Sequence, residues 1–408
     1  MRLNPIIEQL SDLDAYKPNM GAVIARYYGE YTAKWALKVR NKDVHFTPEM
    51  VQEIRDQVDW FCKLKFTDAE IINFQVAFGA WLPRAYVINN LRNWQPNRDD
   101  IKINELGVMP YNDCGLAIEA SGTWLDTSLY EIAILAIVSE VWFAFKYAGQ
   151  KDKLDCEFQK RAIEKFKKVK DGTYDIGVFS EFGTRRRYSK EMQEWLIKYI
   201  LNENIPGFVG TSNIWLARKY GVKPIGTQAH ELYMGVQAKR GLEKSYTNAE
   251  ILRVWNEMYK TKLGIALTDT IGTEVFLKDF DENYATLFGG VRHDSGDPYW
   301  WGELMLQHYK KLGIDPKTKT LLFSDSLNFE KATKIRQAFK DRTNVAFGIG
   351  TFLTCDTCVE PLNIVFKMVE CNDQPVCKLS NDPGKGMCRD DEYVEYLKRC
   401  IDWRLRHE

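Results

Sequence analysis

The chain has 408 residues, 45% of them hydrophobic and 27% charged, which is long enough for more than one core and lacks the bias of a disordered protein. Lysine plus arginine balances aspartate plus glutamate at 56 each. No net field therefore draws the whole molecule onto nucleic acid or an anionic membrane, and any anion must be held by a local site.

At the N-terminus, Glu8, Asp12 and Asp14 interrupt the apolar run that an export signal needs, so the cytoplasm is the expected location. Residues 33–40 have the pattern of a strand, and helices are expected over 48–62 and 68–78. The most apolar helix candidate covers 129–144. Glu131 and Glu140 bracket its apolar run, which leaves it too short to span a bilayer.

From Asp175 onward, short β-type runs end in Gly, Ser, Thr or Asp and alternate with helix-period stretches such as 190–201, 249–259 and 330–339. The runs are 176–178, 208–209, 224–225, 265–267, 287–291, 321–323 and 345–347. Seven such units, with room for an eighth before Asp175, predict a (β/α) barrel of parallel strands rather than an open sheet. Residues 362–369 and 375–379 read as a hairpin around Asn372 and Asp373. The two chain ends are expected to join in one α/β sandwich domain, residues 1–125 with 360–408, packed on a barrel domain of residues 126–359.

Nine scattered cysteines suit reduced thiols. Cys355 and Cys358, with Cys371 and Cys377 downstream, would make a four-thiolate zinc site, but the second pair is widely spaced and neither has a knuckle glycine. Free thiols are the expectation.

The expected strand ends carry GTRRRYS (183–189), GTSN (210–213), GTQAHE (226–231), LTDT (267–270), RHDSGDP (292–298), FSDSLN (323–328) and FGIGT (347–351). This set suits a highly phosphorylated small molecule. Arg185, Arg186, Arg187 and Arg292 offer paired N–H donors to phosphate oxygens, while Gly348, Gly350 and Ser324 let backbone N–H groups approach a phosphate. Asp269, Asp294, Asp297 and Asp325 suit ribose hydroxyls, or magnesium through water. Taken singly, each segment is explained as well by helix capping, and an arginine run by a solvated face. A nucleic-acid module around Arg185, Arg186 and Arg187 would need a basic stripe with interleaved aromatics, which the chain lacks.

The ordered set GTRRR, FVGTSN, GTQAHE, RHDSGDP and FGIGT, with LNPIIEQLSDLDAYK near the N-terminus and KLSNDPGK near the C-terminus, resembles the nicotinate phosphoribosyltransferases over nearly the whole chain. The resemblance implies an irregular α/β barrel packed on an open-faced sandwich, and a cytoplasmic homodimer with active sites at the subunit interface. It implies transfer of the phosphoribosyl group of phosphoribosyl pyrophosphate to the ring nitrogen of nicotinate, with magnesium, in NAD salvage. It further implies that ATP hydrolysis is coupled to the transfer.

Carried onto this sequence, the resemblance makes His230 the residue phosphorylated by ATP. Phe182 would stack on the pyridine ring, and Tyr16 would reach in from the neighbouring subunit to complete the sandwich. Arg185 and Arg292 would contact nicotinate or the phosphoribosyl group, Asp294 the ribose hydroxyls, and Gly350 with Thr351 the ribose phosphate. Thr211, Ser212, Asp269, Ser324 and Asp325 complete the expected substrate site, with magnesium held through Asp269 and Asp325 rather than in a protein cage. The alternative is a nicotinamide phosphoribosyltransferase. Similar enzymes that use nicotinamide have an aspartate where this chain has Ser212, and a carboxylate there would repel nicotinate. A non-catalytic relative would be expected to have lost His230 or Asp294, and both are present.

Overall fold

In the computed structural model the described residues are 2–105, 107–108, 113–382, 386 and 388–408. Pro383, Gly384 and Lys385 of the KLSNDPGK segment lie outside them.

The chain enters along a helix, Tyr16–Tyr27, and then forms β1 (Thr32–Val39), β2 (Ile101–Ile103) and β3 (Ile118–Thr123). Alternation along β1 buries Ala33, Trp35, Leu37 and Val39 on one face and leaves Lys34 and Lys38 on the other. Two helices of the first region begin at threonine caps, Thr47 ahead of Pro48–Phe61 and Thr67 ahead of Asp68–Phe78, the latter in a complete capping box with Glu70.

The helix Tyr130–Lys146 leads out of this region and departs from the expectation that its apolar run is too short to span a bilayer. With the short helix Trp124–Thr127 it makes a helical stretch of 23 residues whose most apolar window has a mean hydropathy of 1.6, long and apolar enough to cross a membrane. It is a core helix nonetheless, because 83% of its most apolar window is buried inside the protein.

After the helix Lys151–Lys170 come seven parallel strands: β4 (Val178–Glu181), β5 (Phe208–Thr211), β6 (Lys223–Pro224), β7 (Ile265–Leu267), β8 (Gly290–His293), β9 (Thr320–Phe323) and β10 (Asn344–Ile349). Their order is β6-β5-β4-β10-β9-β8-β7, with β6 and β7 as unpaired edges, so the curled sheet does not close. Nothing fills the eighth place among the described residues, and the stretch before Asp175 is helical instead. Leu287, expected to open a strand, ends the helix Glu282–Leu287, and β8 starts at Gly290. A Cβ at Gly290 would lie 2.1 Å from the Thr320 carbonyl oxygen, so glycine is what lets β8 approach β9.

The chain returns to the first sheet as β11 (Ile364–Cys371) and β12 (Gln374–Pro375). Asn372 and Asp373 join them at φ 49° and 59°, left-handed values that these two residue types tolerate in tight turns. The resulting antiparallel sheet has the order β12-β11-β1-β3-β2, so the C-terminal strand β11 pairs with the N-terminal β1. Trp35 of β1 stacks on Phe366 of β11 with ring centroids 5.9 Å apart, and its indole N–H donates to Thr127 at 2.9 Å. One continuous cluster of buried apolar side chains connects the two sheets.

Candidate active site

The C-terminal ends of the parallel strands open onto a cavity of about 660 Å³. This is where barrel-type sheets expose backbone groups and small polar side chains. Its floor is organised around His230, the first residue of the helix His230–Val236. His230 Nε2 lies 2.8 Å from Asp269 Oδ1. A nitrogen facing a carboxylate must carry the proton, so Nε2–H donates and Nδ1 keeps its lone pair. Nδ1 sits 3.7 Å from Asp294 Oδ2.

The other oxygen of Asp269 accepts from the Ser295 hydroxyl and lies 3.3 Å from Lys378 Nζ. Asp294 accepts from Ser324 Oγ at 2.7 Å and faces Arg292 Nη2 at 3.4 Å. Burial and the Lys378 ammonium push the imidazole of His230 down to about 4, so it is neutral at physiological pH. Burial opposes ionisation of Asp269, but His230 and Lys378 together hold it well below the usual carboxylate range.

A second wall is aromatic. Phe182, just past β4, packs its ring over Gly348, where a Cβ would lie 2.4 Å from the ring. Tyr16 lines the same cavity. It arrives there because residues 11–15 run beside the end of β5: Asp14 bridges to Asn213, Ala15 N–H donates to Ser212 O at 2.7 Å, and Ile214 N–H donates to Leu13 O at 2.9 Å. Gly226 leaves room for this crossing, since a Cβ there would be 2.6 Å from Tyr16 N. Tyr16 and Phe182 of one chain thus line the same cavity.

Arg185, Ser212, Arg292, Asp294, Ser324 and Asp325 also border the cavity, as do Gly350 and Thr351. Other expected residues are placed differently. Asp269 lies behind His230 and does not border the cavity. Thr211 is fully buried and donates its hydroxyl to Glu181. Asp297 caps the helix Pro298–Lys311, accepting from the N–H groups of Tyr299 and Trp300 at 2.8 and 2.7 Å. Arg187 is fully buried and clamped to both oxygens of Asp12 at 2.8 and 2.9 Å and to Glu140 at 2.6 Å, which makes it a structural anchor. Of the three consecutive arginines, Arg185 and Arg186 face the cavity.

The Ser212 hydroxyl donates to Asp14 Oδ1 at 2.7 Å, so a carboxyl group, raised above its usual range by burial, already borders this corner.

Among the polar residues of the cavity that the sequence reading did not assign to the site are Asp14 and the cations Arg40, Lys367 and Lys378. Arg40 follows β1, Lys367 lies within β11, and Lys378 follows β12, so the antiparallel sheet supplies cations to a site framed by the parallel one. Glu131 binds Lys17 at 2.8 Å, Lys367 at 3.2 Å and Arg185 at 3.5 Å. The cations Arg40, Arg185, Arg186, Arg292, Lys367 and Lys378 line the cavity against the carboxyl groups of Asp14, Asp294, Asp325, Asp356 and Glu360. Burial with the repulsion of Arg185 and Arg40 lowers Arg186 to about 9, and burial, helped by Arg185 and Lys17 against the pull of Glu131, brings Lys367 to about 8. A bound polyanion would relieve both. Among the described residues, the side chains that converge as potential metal donors are His230, Asp269 and Asp294, and the Lys378 ammonium already lies among them.

The nicotinate phosphoribosyltransferase family model matches residues 178–403, and the model of that family's N-terminal domain matches residues 12–139. The chain is 39% identical to the nicotinate phosphoribosyltransferase of Yersinia enterocolitica over 98% of this chain and 96% of that one. It is 38% identical to that of Chromobacterium violaceum over 97% of each. Among solved structures, nicotinate phosphoribosyltransferase from Vibrio cholerae superposes with a TM-score of 0.89 at 34% identity, covering 98% of this chain and 96% of that one. A putative nicotinate phosphoribosyltransferase from Saccharomyces cerevisiae gives 0.88 at 32% identity, covering 99% and 100%. With both family models matched and relatives aligned from end to end, this chain belongs to the nicotinate phosphoribosyltransferase family.

Proposed function

We propose that the chain transfers the phosphoribosyl group of phosphoribosyl pyrophosphate to the ring nitrogen of nicotinate, releasing nicotinate mononucleotide and pyrophosphate as a step of NAD salvage. The observation that carries this reading is the meeting, in one cavity, of two aromatic rings, a group of cations and a neutral histidine oriented by a buried carboxylate. Nicotinamide is not carried forward as the substrate, since the relatives are named for nicotinate.

The ring nitrogen brings its own lone pair, so the displacement at the anomeric carbon needs no general base. What the protein supplies is position and charge. Phe182 and Tyr16 hold the flat ring, while Arg185 and Arg292 balance the nicotinate carboxylate and the phosphoribosyl group. Asp294, fixed by Ser324 and Arg292, faces the ribose hydroxyls. Gly350 and Thr351, at the start of the helix Thr351–Thr354, take the ribose phosphate. Arg40, Arg186 and Lys367 take the departing pyrophosphate.

Magnesium fits this site through Asp294 and Asp325, whose oxygens border the cavity. Asp269 does not suit it, because one oxygen binds His230 and the other Ser295 and Lys378. When bound, the ion would neutralise charge on the pyrophosphate.

ATP enters through His230. The neutral ring with Nε2–H held by Asp269 directs the Nδ1 lone pair away from Asp269, which suits Nδ1 as phosphoryl acceptor. Hydrolysis of that phosphohistidine would couple ATP to product formation. We place the protein in the cytoplasm, which suits its free thiols. We expect the protein to work as a homodimer, with Tyr16 and Phe182 of each chain lining the same cavity. The chain ends, residues 1–125 with 360–408, are taken as one unit against 126–359, a division supported by the pairing of β1 with β11.

Incubation with nicotinate, phosphoribosyl pyrophosphate, magnesium and ATP should yield nicotinate mononucleotide and pyrophosphate. Absence of product under these conditions would overturn the reading.

A further inference from the structure

Behind the aromatic wall, at the end of β4, lies a carboxyl group that the transfer itself does not use. Glu181 is fully buried, and its side chain gathers three neutral donors from separate segments. One oxygen accepts from the Gly183 N–H, the other from the Thr211 hydroxyl and, at 3.1 Å, from the Gln193 amide of the helix Lys190–Asn202. The loop closed by the Gly183 bond contains Phe182 alone. The Phe182 N–H donates to Ile349 O at 2.8 Å, so the peptide groups on both sides of Phe182 are held. On the other flank Ser212 N–H donates to the Glu181 carbonyl, also at 2.8 Å. One residue thus joins the turn bearing Phe182 and Arg185 to the strand end bearing Ser212, and all three of these residues border the cavity.

The bonding pattern fixes the state in which the carboxyl serves this join. The Gly183 N–H can only donate. Thr211 Oγ accepts from the Asn213 N–H at 3.1 Å, which turns its proton toward Glu181, and Gln193 Oε1 accepts from Arg187 at 3.2 Å, which leaves its NH2 group facing Glu181. All three partners are therefore donors. A protonated carboxyl accepts more weakly and adds a donor for which these partners offer no acceptor, so the join loosens.

We infer that Glu181 is a positioning residue for the nicotinate ring, its ionised carboxylate holding the Phe182 turn against the Ser212 strand end. The inference rests on the reaction proposed above. Burial pushes this carboxyl up to about 7, and the nearby Asp14 adds to the rise against the three donors. The other charged groups of the neighbouring segments are paired elsewhere: Arg187 with Asp12 and Glu140, and Arg185 with Glu131. Above about pH 7 the carboxylate holds all three donors; below it the join loosens and the ring is held less well.

The test is to measure kcat and KM for nicotinate from pH 8 to pH 6, with phosphoribosyl pyrophosphate, magnesium and ATP saturating. In the wild type, KM should rise about 10-fold over this range as the ionised fraction falls to about a tenth, while kcat changes by less than about twofold. Glu181→Gln sets an amide N–H against one of the donors, so its KM should already be about 10-fold higher at pH 8 and stay flat to pH 6, with ATP-dependent labelling of His230 retained. Gln193→Leu, which removes one donor to the carboxylate, should move the wild-type limb to higher pH. A limb that survives in Glu181→Gln and so belongs to Asp14, a limb that Gln193→Leu does not move, or a loss confined to kcat would overturn the inference. Product at pH 8 with a wild-type KM that stays flat to pH 6 would overturn it alone, whereas absence of product from the wild type at pH 8 would overturn the proposed reaction and this inference with it.

Discussion

His230 is unusual among histidines in being neutral by construction. Burial and Lys378 lower its ring to about 4, so the acceptor nitrogen stays unprotonated through the range where a free histidine would titrate. The rate of His230 phosphorylation by ATP, measured by rapid quench, should therefore be flat from about pH 8 to pH 5.5 and fall only as pH approaches 4. An acid limb centred near the free-histidine value of about 6.5 would contradict this. Ser212 gives a second test. Asp14 already accepts its hydroxyl, so Ser212→Asp would set two carboxyl groups against each other at the nicotinate corner. The expected outcome is a rise of about 10-fold or more in KM for nicotinate, about 1.4 kcal/mol, with improved relative use of nicotinamide. An unchanged preference would place discrimination elsewhere. His230, Asp294, Arg185 and Arg292 were legible in the sequence because each lies in a short strand-end motif. Lys367 was not, and Lys378 opens the KLSNDPGK segment yet carried no role, since no local pattern marks a lysine in or beside a strand of one sheet as facing a cavity of the other.

At the scale of elements, the strand ends do the positioning, and small residues decide how closely they approach. Gly348 in β10 lies under the Phe182 ring, where any Cβ would come within 2.4 Å. Gly348→Ala should therefore displace that ring, raising KM for nicotinate by about 10-fold while leaving ATP-dependent labelling of His230 largely intact. Equal loss of both activities would point to a collapsed site rather than a displaced ring. Alternation of strand and helix announced the parallel sheet, yet it could not distinguish a motif residue that faces the cavity from one that holds the motif together. Arg187 and Asp297 belong to the second kind, one buried between Asp12 and Glu140, the other capping a helix. Their partners lie on other segments or are backbone groups, and composition alone does not reveal either.

For the whole molecule, the arrangement of the two sheets matters most. The parallel sheet ends at β6 and β7, which do not pair with each other, and the first segment of the chain runs past the end of β5 to bring Tyr16 beside the cavity. A resemblance to the family implied a site shared between subunits, and sequence motifs alone could not show which chain supplies Tyr16. Since Tyr16 and Phe182 of one chain line the same cavity, Tyr16→Ala should lose activity and should not regain it when mixed with Phe182→Ala. Recovery on mixing would restore the shared site.

The central claim joins phosphoribosyl transfer to a phosphorylated His230, and single-turnover synthesis of nicotinate mononucleotide with labelled ATP tests it most directly when the wild type and His230→Ala are compared. The account predicts acid-labile phosphate on the wild type and ATP-stimulated synthesis, with the variant unlabelled but still making product slowly without ATP. Labelling of the variant, or ATP stimulation that survives the substitution, would contradict it.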